Sequence, residues 1–508
     1  MMRISSSTIF NSAVANMDQQ QVQLAKSQQQ VSTGLRMQTA ADDPVAAAQA
    51  LTVTQASATN KQYISNGNSA QNTLSLASSA LQNVTNLIQA VQSEAIQAGN
   101  GSYSNSDRST IATQLTSQLQ QLLGLANSTD GAGNYLFSGF QTHTQPFVNT
   151  PAGTGYFGDN GQRNVQVSAT QQIASSDPGA NVFMSIKNGN GTFATQAAAA
   201  NTGSGIINTG SVLNSAAITG DSYTIAFGGP TAQLPVPNTN TGTGTISTPT
   251  VVSQAAVTGN EYSVVFGAGG TTYSVTNTTT GQPVAGMTAQ PYTSGQAITF
   301  DGLQFNITDG ATPFAAGDSF TVASPGYTVT DTTTVPQALV LPAPPATGRV
   351  PYVDGQAISF GGIQVSIQGV PANGDKFSIT PSSNVSIFKT ISDLIATLNT
   401  PVDNSAPGGV NTSTSLANNL SYGLTNLGNA LNNILTVQSS LGSRLNEISS
   451  LQTTGSSLDL QYQKNLSQLQ SVDMTQAISN LAQQQTNLQA AQKSFATVSN
   501  LSLFSYLP

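Results

Sequence analysis

Apolar residues recur every seven positions at both ends of the chain. Phe10, Met17, Leu24 and Val31 fall on one line of a helix, and Met474, Leu481, Leu488 and Phe495 fall on another. A seven-residue repeat confines its apolar groups to a narrow seam, which is stable only when another helix covers it. The beginning and the end of the chain are therefore expected to pair. A denser pattern lies inside these seams. Leu74, Ala77, Leu81, Val84, Ile88, Val91, Ala95 and Ala98 alternate steps of three and four, as do Leu424, Leu427, Leu431, Ile434, Gln438, Leu441, Leu445 and Ile448, with Gln438 as a polar interruption. Ile111, Leu115, Leu119 and Leu122 continue on a further helix. These segments predict a helical bundle whose members come from both halves of the sequence.

The breaks between helices are also readable. Gly34 is expected to end the first helix, the Asn66-Gly67 pair to interrupt the chain before the best heptad, and residues 99–106 to form a loop. Asp42 and Asp43 precede Pro44 and an alanine-rich run. Carboxylates accept the unpaired N–H groups of a first helical turn, and proline at the first position has no N–H to lose. Helix capping is the preferred reading of the two aspartates, with a paired-carboxylate site as the sharper alternative.

Residues 141–385 differ in kind: Thr, Val, Ile, Phe and Tyr alternate with polar residues between glycine-rich turns, the pattern of many short strands. Two internal repeats support this. Residues 218–227 match 257–266, and residues 295–300 match 355–360, each of the latter followed by a Gly-Asp pair at Gly317-Asp318 and Gly374-Asp375. The proline-rich stretch from Val335 to Pro351 reads as a linker. The fold class expected is α+β multidomain, a long coiled-coil-like bundle built from both termini with a central all-β insertion. The domains expected are 1–44 with 455–508, 45–140 with 386–454, and an outer β region, 141–385, divided into modules of about 141–330 and 331–385.

Composition narrows the partners. Only 7% of the 508 residues are charged, and thirteen Lys plus Arg stand against twenty-one Asp plus Glu for a net charge of −8. No basic stripe interleaved with aromatics is present, so nucleic acid is not an expected partner. No run approaches the roughly 18 apolar residues of a membrane helix, and residues 340–346 are short and broken by proline. Membrane insertion is not expected. The polar first ten residues do not resemble a cleaved secretory signal. With no Cys, disulfides, thiolate catalysis and Cys-ligated zinc are excluded.

Apparent chemical motifs carry little. Residues 153–158, Gly-Thr-Gly-Tyr-Phe-Gly, spell the dinucleotide fingerprint, but they follow Pro151 and precede an Asp-Asn-Gly turn instead of joining a strand to a helix. His143 is the single histidine and has no neighbouring ligands in sequence. Asp318 and Asp375 suggest turns more than calcium, because the Asp-rich loop spacing is missing. Tyr223, Tyr262, Phe300 and Phe360 occupy matching repeat positions and are expected in the core; an exposed aromatic row for glycan is the lesser reading. No acid, base or nucleophile constellation of an enzyme is found, and no cofactor or metal is expected.

Three stretches resemble a known family. Gly34-Leu35-Arg36 followed by Ala40-Ala41-Asp42-Asp43-Pro44-Val45-Ala46, then Gly133-Asn134-Tyr135-Leu136-Phe137-Ser138-Gly139-Phe140, and the tail with Gln483-Gln484-Gln485 and residues 501–507 resemble the bacterial flagellin superfamily, in its hook-filament junction branch. The Asp-Pro-Val continuation and the tail fit that branch better than flagellin itself. The resemblance implies an inner layer of terminal helices, a bundle layer and an outward β region. It further implies a structural adaptor that joins the hook, through hook-associated protein 1, to the flagellin filament. Also implied are self-association into a ring, a cytoplasmic export chaperone, export through the flagellar type III channel without a cleaved signal, and an extracellular place at the junction. The alternatives are a flagellin-type filament subunit and a surface adhesin using the β repeats.

Polymer contacts are expected from Phe10, Met17, Leu24, Val31, Leu481, Leu488, Phe495, Leu501 and Phe504. The two seams are expected to be largely unpaired in the isolated chain and to order when subunits cover one another, because isolated helices rarely persist without packing. An ordinary intramolecular pair is the competing reading.

Overall fold

The structure, a computed structural model, describes residues 6–343, 348–403 and 409–500. Among the described residues, six α-helices precede and follow the β-strands in sequence: α1 (Ser6–Thr33), α2 (Pro44–Ala98), α3 (Asn105–Ala126), α4 (Ile387–Asn399), α5 (Thr412–Gln470) and α6 (Met474–Asn500). The α+β class and the pairing of N- and C-terminal helices are as the periodicity predicts. The chain forms two compact units. One takes the stretch up to Leu74, Asn164–Ser175 and the stretch from Ser443 onward; the other takes Ser75–Arg163 and Ser176–Gly442. Both α2 and α5 pass from one unit into the other.

The dense heptads are core. All eight positions from Leu74 to Ala98 are buried, and on α5 Leu427, Ile434, Leu441 and Ile448 are buried at seven-residue intervals. Such a spacing keeps one stripe in contact with neighbouring helices along several turns. The expected break at Asn66-Gly67 does not occur, and α2 runs through it for 55 residues. Tertiary packing overrides the local preference here. A side chain on Gly67 would meet Gln452 Nε2 at 3.4 Å and Ile448 at 3.7 Å, ordinary contact distances, so α5 packs against this turn of α2. Gly34 does end α1, in the left-handed region at φ +71°.

The β region holds two modules, and they nest. In the host module, strand Tyr223–Gly228 lies between Gly326–Asp331 and Lys376–Pro381. In the inserted module, Glu261–Phe266 lies between Thr272–Asn277 and Ser319–Ala323. The inserted strands Glu261–Phe266 and Thr272–Asn277 are joined by a short turn. At the equivalent point of the host, Gly228 pairs with Gly326 and everything between them is the inserted module. Each module closes its own core: Ile225, Val365 and Phe377 belong to one, Val264, Phe305 and Phe320 to the other. Modules in series, 141–330 then 331–385, are therefore not found.

The repeats extend to individual bonds. Asp318 accepts from the N–H groups of Thr241, Gly242 and Ala315, and Asp375 from those of Thr202, Gly203 and Ala372, all at 2.7–3.0 Å. Tyr262 meets Phe300 edge-on with ring centroids 4.9 Å apart, and Tyr223 meets Phe360 in the same way at 5.0 Å. All four rings are buried, so an exposed aromatic row is not present. The stretch from Val335 to Pro351 is also more than a linker. Ala338–Leu341 pairs with Gly326–Asp331, and Arg349 donates to the carbonyls of Gly229 and Ser324. Pro336 and Pro342 stand just outside this edge strand, where a missing N–H costs no ladder bond.

Candidate functional site

The seam residues are brought together within the chain. Helices α1 and α6 pack antiparallel, with Phe10 against Phe495 at one end (ring centroids 5.1 Å) and a bridge between Leu35 and Ser471 at the other. Stepping seven residues along each helix from the phenylalanines sets Met17 level with Leu488, Leu24 with Leu481 and Val31 with Met474. The two seams thus meet in a single register, and the expectation of unpaired seams in the isolated chain is not what the structure shows. Leu501 and Phe504 lie outside the described residues.

The seam is thin. Met17, Leu24, Val31, Leu481, Leu488 and Phe495 are half-buried, while Phe10 at one end remains 51% exposed and Met474 at the other 43%. The alternate levels carry Ala13, Gln20 and Ser27 on α1, and Ala477, Gln484 and Ala491 on α6. Small and amide side chains leave little apolar mass to bury. The Oε1 atoms of Gln20 and Gln484, within one residue of the same level by this register, are buried without a hydrogen-bond partner. Such an atom costs free energy in proportion to its lost hydration. Sequence periodicity at seven residues did not reveal these intervening positions.

A loop of residues 34–43 fastens the pair to α5 and α2. Arg36 donates its backbone N–H to Gln470 O (2.6 Å) and its Nη2 to Leu469 O (3.0 Å), satisfying carbonyls at the end of α5 that have no helical partner. Val472 N–H donates to Gly34 O at 2.9 Å. Asp43 accepts from Ala46 N–H (3.0 Å) and pairs with Arg36 Nη1 (3.3 Å). Asp42 pairs with Lys26 Nζ (2.7 Å) and accepts from the N–H groups of Gln38 and Thr39. These contacts hold both carboxyls below the usual range: the Lys26 hydrogen bond chiefly for Asp42, and the Ala46 N–H chiefly for Asp43. Asp43 caps α2 as expected, while Asp42 organises the turn and anchors Lys26. Neither is available as a catalytic pair.

The other candidate motifs take structural parts. Gly153–Tyr156 is a strand paired with Phe147–Thr150, so the glycine-rich stretch is a hairpin with no helix after it. His143 is exposed on a turn. Among the described residues, no group of three His, Asp or Glu side chains is placed to hold a metal ion. No helix among them is long and apolar enough to cross a membrane.

Features off the heptad were not foreseen. Val22 is 69% exposed and Ile478 53%, so α1 and α6 carry apolar groups that their mutual contact leaves uncovered. A groove of about 740 Å³ lies between α2 and α5 in the same unit, walled by the hairpin of Asn164–Gln166 and Gln172–Ala174. Its lining comes from distant stretches, which no local pattern connects.

Comparison with known proteins shows what parts of the chain are similar to. Residues 4–142 match the family described as the bacterial flagellin N-terminal helical region, and residues 236–324, nearly the whole inserted module, match the flagellar hook-associated protein 1 D2-like domain. The resemblance to the flagellin superfamily is borne out. Within it, the chain is similar to flagellar hook-associated protein 3 of Salmonella typhimurium, 38% identical over 185 residues, and to that of Escherichia coli, 36% identical over 185 residues. The match takes in 36% of this chain and 58% of each relative's length. The crystal structure of the flagellar junction protein FlgL from Legionella pneumophila aligns with a TM-score of 0.57 at 27% identity, covering 83% of this chain and all of that one.

Proposed function

We propose that this chain is a non-catalytic structural subunit of the bacterial flagellum that joins the hook to the flagellin filament. The observation that carries the reading is the terminal pair. Two long helices meet along a thin seam in one register, in a chain whose front resembles flagellin and whose relatives bear the name hook-associated protein 3. A seam buried on one side only is completed when neighbouring subunits cover it.

The polymer contacts in this reading are Phe10, Met17, Leu24, Val31, Leu481, Leu488 and Phe495, continued by Leu501 and Phe504. The terminal domain is 1–44 with 455–508, the bundle 45–140 with 386–454, and the β modules face outward. Hook-associated protein 1 and flagellin are the partners on either side, with copies of this chain forming a ring between them. A cytoplasmic chaperone delivers the chain to the flagellar export channel, through which it passes without a cleaved signal to its extracellular place. Heterologous contacts of this kind close into rings or grow into helices according to their rotation.

Burial of Tyr223, Tyr262, Phe300 and Phe360 removes the feature that favoured a glycan-binding adhesin. A filament subunit is the remaining alternative. Deleting the gene in the native bacterium separates the two. A junction role gives complete hooks without filaments and flagellin lost to the medium, whereas filaments on normal hooks contradict it.

A further inference from the structure

Six Asn-Gly pairs occur in the chain, beginning at Asn66, Asn100, Asn160, Asn188, Asn190 and Asn373. Such a pair can react with itself, because a glycine has no side chain to shield its backbone nitrogen from the preceding side-chain amide and bends readily into the cyclised geometry. The structure separates one of the six from the rest.

In five pairs the glycine N–H is already committed. Gly67 lies inside α2, where its N–H bonds within the helix. Gly161 N–H donates to Asp159 Oδ1 (2.7 Å), Gly189 N–H to Asn426 Oδ1 (3.0 Å), Gly191 N–H to Asn188 O (3.2 Å) and Gly374 N–H to Phe227 O (2.9 Å). Several of the asparagine amides are tied as well: Asn66 Nδ2 donates to Gln166 O, Asn188 Nδ2 to Tyr422 Oη and Asn190 Nδ2 to Gly210 O, while Asn373 Oδ1 accepts from Gly229 N–H. Turning any of these side chains onto the next nitrogen breaks such bonds, and each broken bond raises the barrier.

Asn100 differs at both reacting atoms. It is exposed in the loop between α2 and α3, and among the described residues neither Gly101 N–H nor Asn100 Nδ2 donates to any group of the protein. Its Oδ1 instead accepts from the N–H and the Oγ–H of Ser102, each at 3.0 Å. The ring closed by the N–H bond contains the Gly101 peptide. Two donors thus stand on the oxygen that gains negative charge when Cγ is attacked, the arrangement that stabilises a tetrahedral intermediate.

We infer that Asn100 is a site of spontaneous deamidation. The Gly101 nitrogen attacks Asn100 Cγ, the N–Cγ bond forms, the Cγ–Nδ2 bond breaks, and ammonia leaves with the proton that Gly101 loses. Water then opens the five-membered imide at either carbonyl and leaves a carboxylate on residue 100, in an aspartyl or an isoaspartyl linkage.

The new charge falls beside a cation that lacks one. Arg108 is 5% exposed and donates Nε to Ala98 O (3.2 Å) and Nη2 to Asn100 O (3.4 Å), carbonyls at the end of α2, and among the described residues it forms no ion pair. A buried cation has given up hydration that carbonyls only partly replace. A carboxylate on the residue Arg108 already touches strengthens the α2–α3 joint.

The test holds the full chain folded at 37 °C and pH 8 and follows all six pairs by peptide mass and an isoaspartate assay. Asn100 is expected to convert about tenfold faster than any other pair. Gly101→Ala is expected to stop it without disturbing the fold, since nothing lies within 4 Å of the added methyl group and the residue is outside the left-handed region. Conversion led by another pair, with Asn160 the nearest rival, overturns the inference, and so does an Asn100 rate equal to the rest. In urea the six rates are expected to converge; an undiminished lead for Asn100 there would assign the reaction to local sequence and overturn the structural cause. Asn100→Asp reads the consequence: amide exchange in the last turn of α2 is expected to slow several-fold, and unchanged exchange contradicts the part given to Arg108.

Discussion

The ring of Phe10 rests against that of Phe495, with centroids 5.1 Å apart and planes inclined by 48°. This contact sets the register of the terminal pair, since every seam residue that follows on α1 meets one seven positions earlier on α6. The first and last helices among the described residues are thereby held together. Aromatic pairs of this kind contribute about 0.5–1.5 kcal/mol beyond the area they bury. The rest of the seam is half-buried and small, so the pair has spare apolar surface and modest stability of its own.

The Gln20 and Gln484 level makes that stability adjustable. Replacing both with Leu removes two buried oxygens that lack partners and adds apolar contact, for a gain of about 1 kcal/mol per site. Amide hydrogen exchange along α1 and α6 is expected to slow several-fold, while α2 between Leu74 and Ala98 is unchanged. Polar seam residues also fix register at a cost in stability, so the double variant is expected to form off-register species on prolonged incubation. Unaltered exchange would show that the two amides do not limit the pair.

The loop of residues 34–43 is expected to respond to acid before the cores do. Asp42 and Asp43 have folded pKa values below the ordinary value near 3.9. A carboxyl with a depressed pKa stabilises fully above its unfolded value and loses that contribution as pH falls through the folded one. Stability of the terminal pair is therefore flat from pH 7 to about 5 and declines progressively below about 4. Asp42→Asn removes part of the decline and exposes the Lys26 contact to loss at neutral pH. Hydrogen exchange at pH 3 and pH 6 checks both, and a decline beginning near pH 6 contradicts the assignment.

The nested modules predict a clean excision. Gly228 and Gly326 are already paired neighbours, so replacing residues 229–325 with a five-residue turn copied from residues 267–271 should leave the host core intact. Its thermal midpoint is expected to shift by no more than a few degrees, corresponding to about 1 kcal/mol. Loss of cooperative unfolding in the excised chain would mean that the modules depend on one another.

Much of this organisation was legible in the sequence, and for identifiable reasons. Long stripes such as Leu74 to Ala98 repeat often enough to overrule local composition, and the Asp43-Pro44 start follows from cap chemistry alone. Asn66-Gly67 misled because a glycine's local cost is visible in sequence while the helix that packs over it is not. The nesting was hidden because a repeat of residues 218–227 in 257–266 shows duplication without showing which strands pair. Gln20, Gln484 and the groove escaped because they depend on the level of one helix against another.

Glu94 offers a test of packing apart from assembly. Its Oε1 accepts from Gln114 and Gln118, while its Oε2 and the Oε1 of Gln118 are buried without partners. Burial raises its pKa. An amide here keeps one acceptor and gains a donor, so Glu94→Gln is expected to stabilise the chain at pH 7 by about 1 kcal/mol. The gain should shrink as pH falls through the raised folded pKa, because the native carboxyl then becomes neutral. Thermal unfolding at pH 7 and pH 4.5 measures it.

The central claim is that the terminal seam is the assembly element. Phe495→Asp, expressed in a bacterium lacking the native gene, addresses it directly by counting hooks that carry the chain and a filament. The account predicts a soluble chain whose helicity outside α1 and α6 is unchanged, found in the medium, and bare hooks. Normal incorporation of Phe495→Asp and full-length filaments would show that the α1–α6 seam serves only the fold of the single chain.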